Sequence, residues 1–171
     1  MEEKMRRLLI AVVFMSFTVP AMAGSGGMVT VTSANDVKTT VKQLKKVLKD
    51  KGMTIFKTVD HAKGAEEVGL KLRPTTVVIF GNPQVGTLLM QCGQTAGIDL
   101  PMKMLVWEDS RGRVHVSYND PSYLASRHRI KGCAKVKKKM AGAQAAFAKA
   151  AAKKAPPKKG LKDYNPFKKD K

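Results

Sequence analysis

The chain has 171 residues, a length that fits a single domain. Hydrophobic residues make up 43% of it, which is enough for a packed core and excludes a wholly disordered chain. Two cysteines exclude a disulfide-rich scaffold and a cysteine-held iron–sulfur cluster. The net charge of +19 is uneven, because residues 131–171 carry 14 basic and two acidic side chains. These features predict a mildly basic domain with a polycationic tail.

Residues 1–23 have the three-part layout of an export signal. Basic residues at positions 4, 6 and 7 precede the apolar run from Leu8 to Val19, and the small residues Ala21 and Ala23 mark a cleavage site. A membrane-spanning helix needs about 20 apolar residues, and this run is shorter. We expect cleavage after Ala23 and a mature protein in the periplasm or outside the cell.

The elements that follow predict an α+β domain over residues 30–132, behind a flexible lead-in at residues 24–29. Hydrophobic periodicity and turn residues place these elements in chain order: a strand at 28–32, a helix at 36–51, a strand at 53–59, a short helix or turn at 60–68, a strand at 75–80, a helix at 85–96, strands at 102–107 and 114–118, and a helix from Pro121. Strands and helices alternate along the chain, and the last two strands form a hairpin. This order favours a two-layer sandwich, with a mostly antiparallel sheet and helices on one face.

Composition changes beyond Cys133. Residues 133–155 are rich in lysine and alanine and predict a helix, while residues 156–171 are polar and predict a disordered basic tail. We expect residues 131–171 to be dispensable for folding of the domain. Their charge predicts binding to anionic surfaces, such as lipid head groups, cell-wall polymers or nucleic acid.

Several strings together carry a family resemblance. They are Asp60-His61-Ala62, the segment from Arg73 to Pro83 (RPTTVVIFGNP), Gly86 to Met90 (GTLLM), Leu100 to Lys103 (LPMK), and Tyr118-Asn119-Asp120-Pro121 followed by His128. Over about residues 30–131 the chain resembles the family catalogued as domain of unknown function 302. The resemblance implies a small two-layer α+β fold and no established activity.

Polar residues within the shared strings form the candidate ligand-binding set: His61, Arg73, Asn82, Lys103, Tyr118 and His128. Arg73 and Lys103 suit an anion, and Gly81-Asn82-Pro83 before a helix would offer free backbone N–H groups to it. A structural interpretation stays open beside this one. In it, Asn82 is a cap or turn residue, Arg73 pairs with Asp99, and Tyr118 belongs to the core.

The sequence contains no recognisable catalytic or metal-binding constellation. The three histidines lack paired metal-ligand spacing, and His115 alternates with Val114 and Val116 and is expected to face solvent. We therefore predict no cofactor and no metal. Export favours a disulfide between Cys92 and Cys133. An enzyme or redox protein using His61, Arg73, Lys103 or Cys92 remains the alternative.

The preferred hypothesis is an exported binding module, since the lack of a recognisable catalytic constellation favours binding over catalysis. Its expected partners are a small anionic ligand in the domain and an anionic surface held by residues 131–171. A second copy of the chain, in a homodimer, is a further expected partner. Non-specific nucleic-acid binding through the tail is the weaker alternative, since export argues against the usual intracellular context.

Overall fold

The structure, a computed structural model, describes residues 26–156. Its sheet has five strands, each antiparallel to its neighbours, in the order β1-β5-β4-β3-β2. The strands are β1 (Met28–Thr32), β2 (Thr54–Asp60), β3 (Thr75–Gly81), β4 (Met102–Glu108) and β5 (Val114–Asn119). The predicted α+β class and antiparallel sheet are confirmed.

Five α-helices connect or follow these strands: α1 (Val37–Asp50), α2 (His61–Glu67), α3 (Pro83–Cys92), α4 (Pro121–Arg127) and α5 (Ala134–Ala152). A short 3-10 helix, Gln94–Ile98, follows α3, where the sequence predicted one continuous helix. The break lies at Gly93, whose extended backbone cannot continue an α-helix. Side chains of Asp36, Asp60, Asn82 and Asp120 cap helix starts by accepting a backbone N–H, as short polar residues do.

Alternation along the central strands separates the two faces of the sheet. Val78, Met104, Val106 and Val116 project to one face, where none of them is exposed to solvent. Helices α1 and α5 pack there, and α1 contributes residues such as Leu44 to the same core. One face of the sheet therefore carries the main core, as the two-layer prediction requires.

Helix α5 belongs to this core, so the predicted domain boundary after residue 132 is wrong. Phe147, Ala148 and Ala151 are buried in the main core. The end of α5 is also tied to the start of α1, because the Ala152 carbonyl accepts the Ala34 N–H at 2.9 Å. The prediction rested on the number of lysines in this segment. Most of these lysines lie on the exposed side of α5, whereas the small alanine side chains on its other side pack closely against the core. The lead-in is shorter than predicted as well, since β1 begins at Met28.

Other predictions fall outside the part of the chain that the structure describes. The export signal at residues 1–23 lies before it, and all but the first residue of the tail at 156–171 lies after it. Between residues 26 and 156, no helix is long and apolar enough to cross a membrane.

Candidate functional site

A cavity of about 380 Å³ lies where α3 and α5 meet the end of β3 and the start of β4. Most of its wall is apolar and comes from side chains such as Met53, Phe80, Met90, Leu100, Met102, Met140 and Phe147. Among the described residues, four polar side chains line it: Asn82, Thr87, Lys139 and Gln144. Apolar walls with a few polar groups are typical of sites for small molecules.

The cavity lies at the junction of two hydrophobic clusters. The first is the sheet core with Phe80 and Phe147, and the second joins α3, α4 and the first half of α5 around Leu89 and Met140. Helix α5 contributes to both, so its side chains bridge the gap between them.

Gln144 is a polar residue of the cavity whose side chain has a buried oxygen without a hydrogen-bond donor in the described chain. Its side chain is 2% exposed, and its Nε2 donates to the carbonyl of Asn119 at 3.3 Å. Its Oε1 is buried and accepts no hydrogen bond within the described chain. A buried acceptor without a donor costs about 1–3 kcal/mol, and native proteins contain few of them. Sequence analysis missed Gln144, because a single glutamine in an alanine-rich helix carries no motif.

Asn82 is the one member of the predicted ligand set that lines the cavity, but its role there is structural. Its Oδ1 accepts the N–H of Gln84 at 3.0 Å, and its carbonyl accepts the N–H of Val85 at 3.1 Å. Pro83, between them and Asn82, has no N–H. The start of α3 therefore has no spare amide in its first turn, and the predicted backbone anion site is wrong. The cap interpretation of Asn82 is the correct one.

Arg73 precedes β3 and Asn82 follows it, so the whole strand, about 20 Å long, lies between them. Arg73 donates from Nε to the carbonyl of Glu108 at 3.1 Å, so its predicted pairing with Asp99 does not occur. Lys103 lies on the sheet face opposite Met102 and Met104, and its Nζ donates to the carbonyls of Asp99 and Pro101 at 2.7 and 2.9 Å. These two cations therefore do not share a site with Asn82.

Tyr118 and His61 are also separate from the cavity. Tyr118 is 6% exposed and belongs to the main core, where burial, followed by the charge of Asp120, raises the pKa of its hydroxyl. His61 is the exposed first residue of α2. The structure thus distributes the six predicted site residues over several places instead of one cleft.

His128 forms a polar cluster at the end of α4. Its Nε2 lies 2.5 Å from Asp99 Oδ2, and its Nδ1 lies 3.1 Å from Thr95 Oγ1. Arg127 adds an ion pair to Asp99 at 3.5 Å. This arrangement fixes the 3-10 helix against α4. An Asp–His–Thr order resembles that of hydrolytic sites, but the cavity lining does not include these residues.

A second histidine cluster lies on the sheet face that α1 and α5 leave uncovered. His115 is 8% exposed, its ring lies 4.9 Å from the ring of Trp107, and its Nε2 lies 3.0 Å from Asp109 Oδ2. The predicted direction of His115 is right, but its predicted exposure to solvent is wrong, because Trp107 covers it. This hydrogen bond, with further ones from Arg113, holds the pKa of Asp109 well below its ordinary value. The cluster closes the β4–β5 hairpin.

Cys92 and Cys133 are joined by a disulfide, with Cα atoms 6.4 Å apart. It links the end of α3 to the residue before α5, next to the second hydrophobic cluster. In this bonded state Cys92 has no thiol to act as a nucleophile. Within residues 26–156, no group of three or more His, Cys, Asp or Glu side chains is arranged to hold a metal ion.

A basic groove lies between α4 and α5, on the other side of α5 from Lys139. Arg129, Lys131, Lys137 and Lys138 line it together with Ser122 and Ser126, and Asp120 is its acidic residue. The groove has a volume of about 680 Å³ and an open shape. Four cations around a shallow groove attract anions without fixing their geometry.

Comparisons with known proteins identify the family and the fold. Two relatives, the fluoride-specific ion channel FluC 1 of Brucella suis and that of Brucella abortus, are each 48% identical over 113 residues, which is 65% of this chain. The match covers 44% and 42% of these relatives, so the chain spans less than half of their length.

A crystal structure of an uncharacterised conserved protein from Bacillus stearothermophilus is similar in fold, with a TM-score of 0.67 and 19% identity. The similarity covers 74% of this chain and 98% of that one. The model of the domain of unknown function DUF302 matches residues 29–147, a range that includes most of α5. The chain therefore belongs to the DUF302 family.

Proposed function

We propose that this domain is a binding module for a small, mainly apolar molecule held in the cavity between α3 and α5. The observation that carries the proposal is the apolar cavity of about 380 Å³. Small-ligand sites in proteins have volumes of about 300–1,000 Å³, so this cavity suits a ligand at the small end of the range. The expected small anionic ligand is thus replaced by one with an apolar body.

Binding is a better proposal than catalysis, because the groups that could react lie away from the cavity. His128 and His115 are each held by an aspartate in clusters that stabilise loops. Cys92 is in a disulfide. Of the four polar side chains of the cavity, that of Asn82 caps α3, and the other three, an amide, a hydroxyl and an ammonium, suit recognition of a ligand.

We also propose that the mature protein is exported. The layout of residues 1–23 supports export, and the disulfide suits an oxidising compartment. More than half of each channel relative lies outside the matched segment, so a domain of this kind also occurs as part of longer chains.

The test is titration with N-phenyl-1-naphthylamine, a neutral apolar dye that fluoresces in apolar sites. We expect saturable binding of one dye per chain. Ala143→Leu places a larger side chain in the cavity and should weaken binding at least tenfold. Ala145→Leu makes the same change at an exposed position of α5 and should leave binding unchanged. Equal binding by both variants would contradict the proposal.

A second candidate function is attachment to an anionic surface, and the basic groove favours it. Each lysine near an anionic membrane surface adds about 1 kcal/mol of attraction, and salt screens this attraction. We expect Lys137→Glu with Lys138→Glu to reduce adsorption to vesicles containing phosphatidylglycerol. The control pair, Lys42→Glu with Lys49→Glu on the exposed side of α1, carries the same charge change. Equal loss in both pairs would indicate net charge alone.

A further inference from the structure

Two side chains of α5 that line the cavity differ in polarity and burial. Lys139 is exposed at the rim, whereas Gln144 is buried. Five residues separate them, which corresponds to about 7.5 Å along a helix axis. A molecule that fills the cavity is therefore in reach of both side chains.

Gln144 requires a donor that the described chain does not supply. Its Nε2 donates to the carbonyl of Asn119, and a carbonyl can only accept, which fixes the direction of the amide. Oε1 is then the atom left without a partner. A ligand group that satisfies it must present an O–H or N–H, because a carboxylate or ether there would add a second acceptor.

Lys139 can only donate hydrogen bonds, whereas the Gln144 oxygen without a partner can only accept them. Its ammonium is a donor with a full positive charge, and between residues 26 and 156 no ion pair involves it. At the rim of an apolar cavity, the charge of an anionic group is less screened than on an open surface. An anion beside Lys139 can remain partly hydrated while the rest of its molecule enters the cavity.

We propose that the ligand is an apolar molecule with a hydroxyl at one end and an anionic group at the other. The hydroxyl donates to Gln144 Oε1, the apolar body contacts Phe80, Met140 and Phe147, and the anion lies beside Lys139. This inference rests on the proposed function, because it names the ligand class of the same cavity.

The experiment compares four probes with one chain length: ω-hydroxyoctanoate, octanoate and the methyl esters of both. Each displaces N-phenyl-1-naphthylamine, so the set isolates the hydroxyl and the carboxylate. A net hydrogen bond of about 1 kcal/mol corresponds to roughly fivefold in affinity. We expect each group to improve binding by about that factor in the natural protein.

Two variants assign each preference to one side chain. Gln144→Leu should abolish the hydroxyl preference and keep the carboxylate preference, and Lys139→Gln should do the reverse. Lys149→Gln, exposed on the same helix and outside the cavity, should change neither. Methyl octanoate, which lacks both groups, should bind all variants alike and shows that they are folded.

Failure of the inference is distinguishable from failure of the proposed function. If the dye binds and Ala143→Leu weakens it, but the hydroxyl gives no gain or Gln144→Leu leaves the gain intact, the inference is overturned and the cavity remains a binding site. If the dye does not bind at all, the proposed function is overturned together with it.

Discussion

The ring of Phe147 in α5 meets the ring of Phe80 in β3 edge to face, with centroids 6.0 Å apart. Both rings are nearly fully buried, and both form part of the wall of the cavity. This contact joins the lysine- and alanine-rich helix to β3, an inner strand of the sheet. Helix α5 is therefore at once a core element and a wall of the proposed binding site.

Removing the contact between Phe147 and Phe80 should destabilise the domain. We expect Phe147→Ala to lower the free energy of unfolding by about 3–5 kcal/mol, as deletion of a buried aromatic side chain usually does. Lys149→Ala, two residues away and exposed, should change it by less than about 0.5 kcal/mol. Urea denaturation followed by circular dichroism measures both.

A chain that ends at Gly132 tests the same point more severely. It lacks the whole of α5 and should show no cooperative unfolding transition, because α1 and the sheet would lose their cover. A truncated chain that melts at the same temperature as the full protein would show that residues 131–171 are a dispensable tail after all.

The fold was predictable where local patterns decide it. Alternating residues located β1, and a run of four adjacent apolar residues located β3. The three- and four-residue spacing of Val41, Leu44 and Leu48 located α1. The role of α5 was not predictable in this way. Alanine has a small apolar side chain, so Ala148 and Ala151 give a weak periodic signal even though neither is exposed to solvent.

The site was less predictable than the fold, because it depends on contacts between distant segments. The sequence favours Arg73 and Lys103 as anion-binding residues. In the structure each donates to main-chain carbonyls, and the two lie at a different end or face of the sheet. The cavity arises only when α3 and α5 pack beside β3. Gln144 becomes notable only when its lack of a donor is visible.

Replacing Gln144 with an apolar residue should stabilise the protein without ligand. Gln144→Met removes the buried acceptor that lacks a donor, and the Asn119 carbonyl that it leaves belongs to an exposed residue, which water can reach. We expect a gain of about 1 kcal/mol in the free energy of unfolding. Gln91→Met, at an exposed position of α3, is the matched control. A clear loss of stability in Gln144→Met would show that the amide is fully satisfied in solution.

Reduction of the Cys92–Cys133 disulfide should destabilise the domain. The bond joins residues 41 apart, and closing a loop of that size restricts the unfolded chain by about 4 kcal/mol in the chain-entropy model. We expect dithiothreitol to lower the melting temperature of the natural protein. The double variant Cys92→Ala with Cys133→Ala should melt at the lower temperature with or without the reductant. Two reactive thiols in the unreduced, denatured protein would contradict the bond.

Acid stability should depend on Asp109. Its carboxylate is stabilised by His115 and Arg113, so its pKa is lower in the folded than in the unfolded state. The stability that it contributes is fully present above about pH 4, the ordinary pKa of an aspartate, and is lost as the pH falls towards the folded value. Asp109→Asn should be less stable at neutral pH and should lose less stability on acidification. Asp50→Asn, in an exposed ion pair with Lys46, should leave the acid profile unchanged.

Methyl NMR of the methionines tests the location of the ligand most directly. Met53, Met90, Met102 and Met140 line the cavity, whereas Met104 is buried in the core away from it and Met28 is exposed on β1. With ¹³C-labelled methionine methyls and bound N-phenyl-1-naphthylamine, the account predicts nuclear Overhauser contacts from the dye to the four cavity methyls and none to Met28 or Met104. Contacts to Met28 would contradict it, and so would a lack of contacts to any of the four cavity methyls at saturating dye.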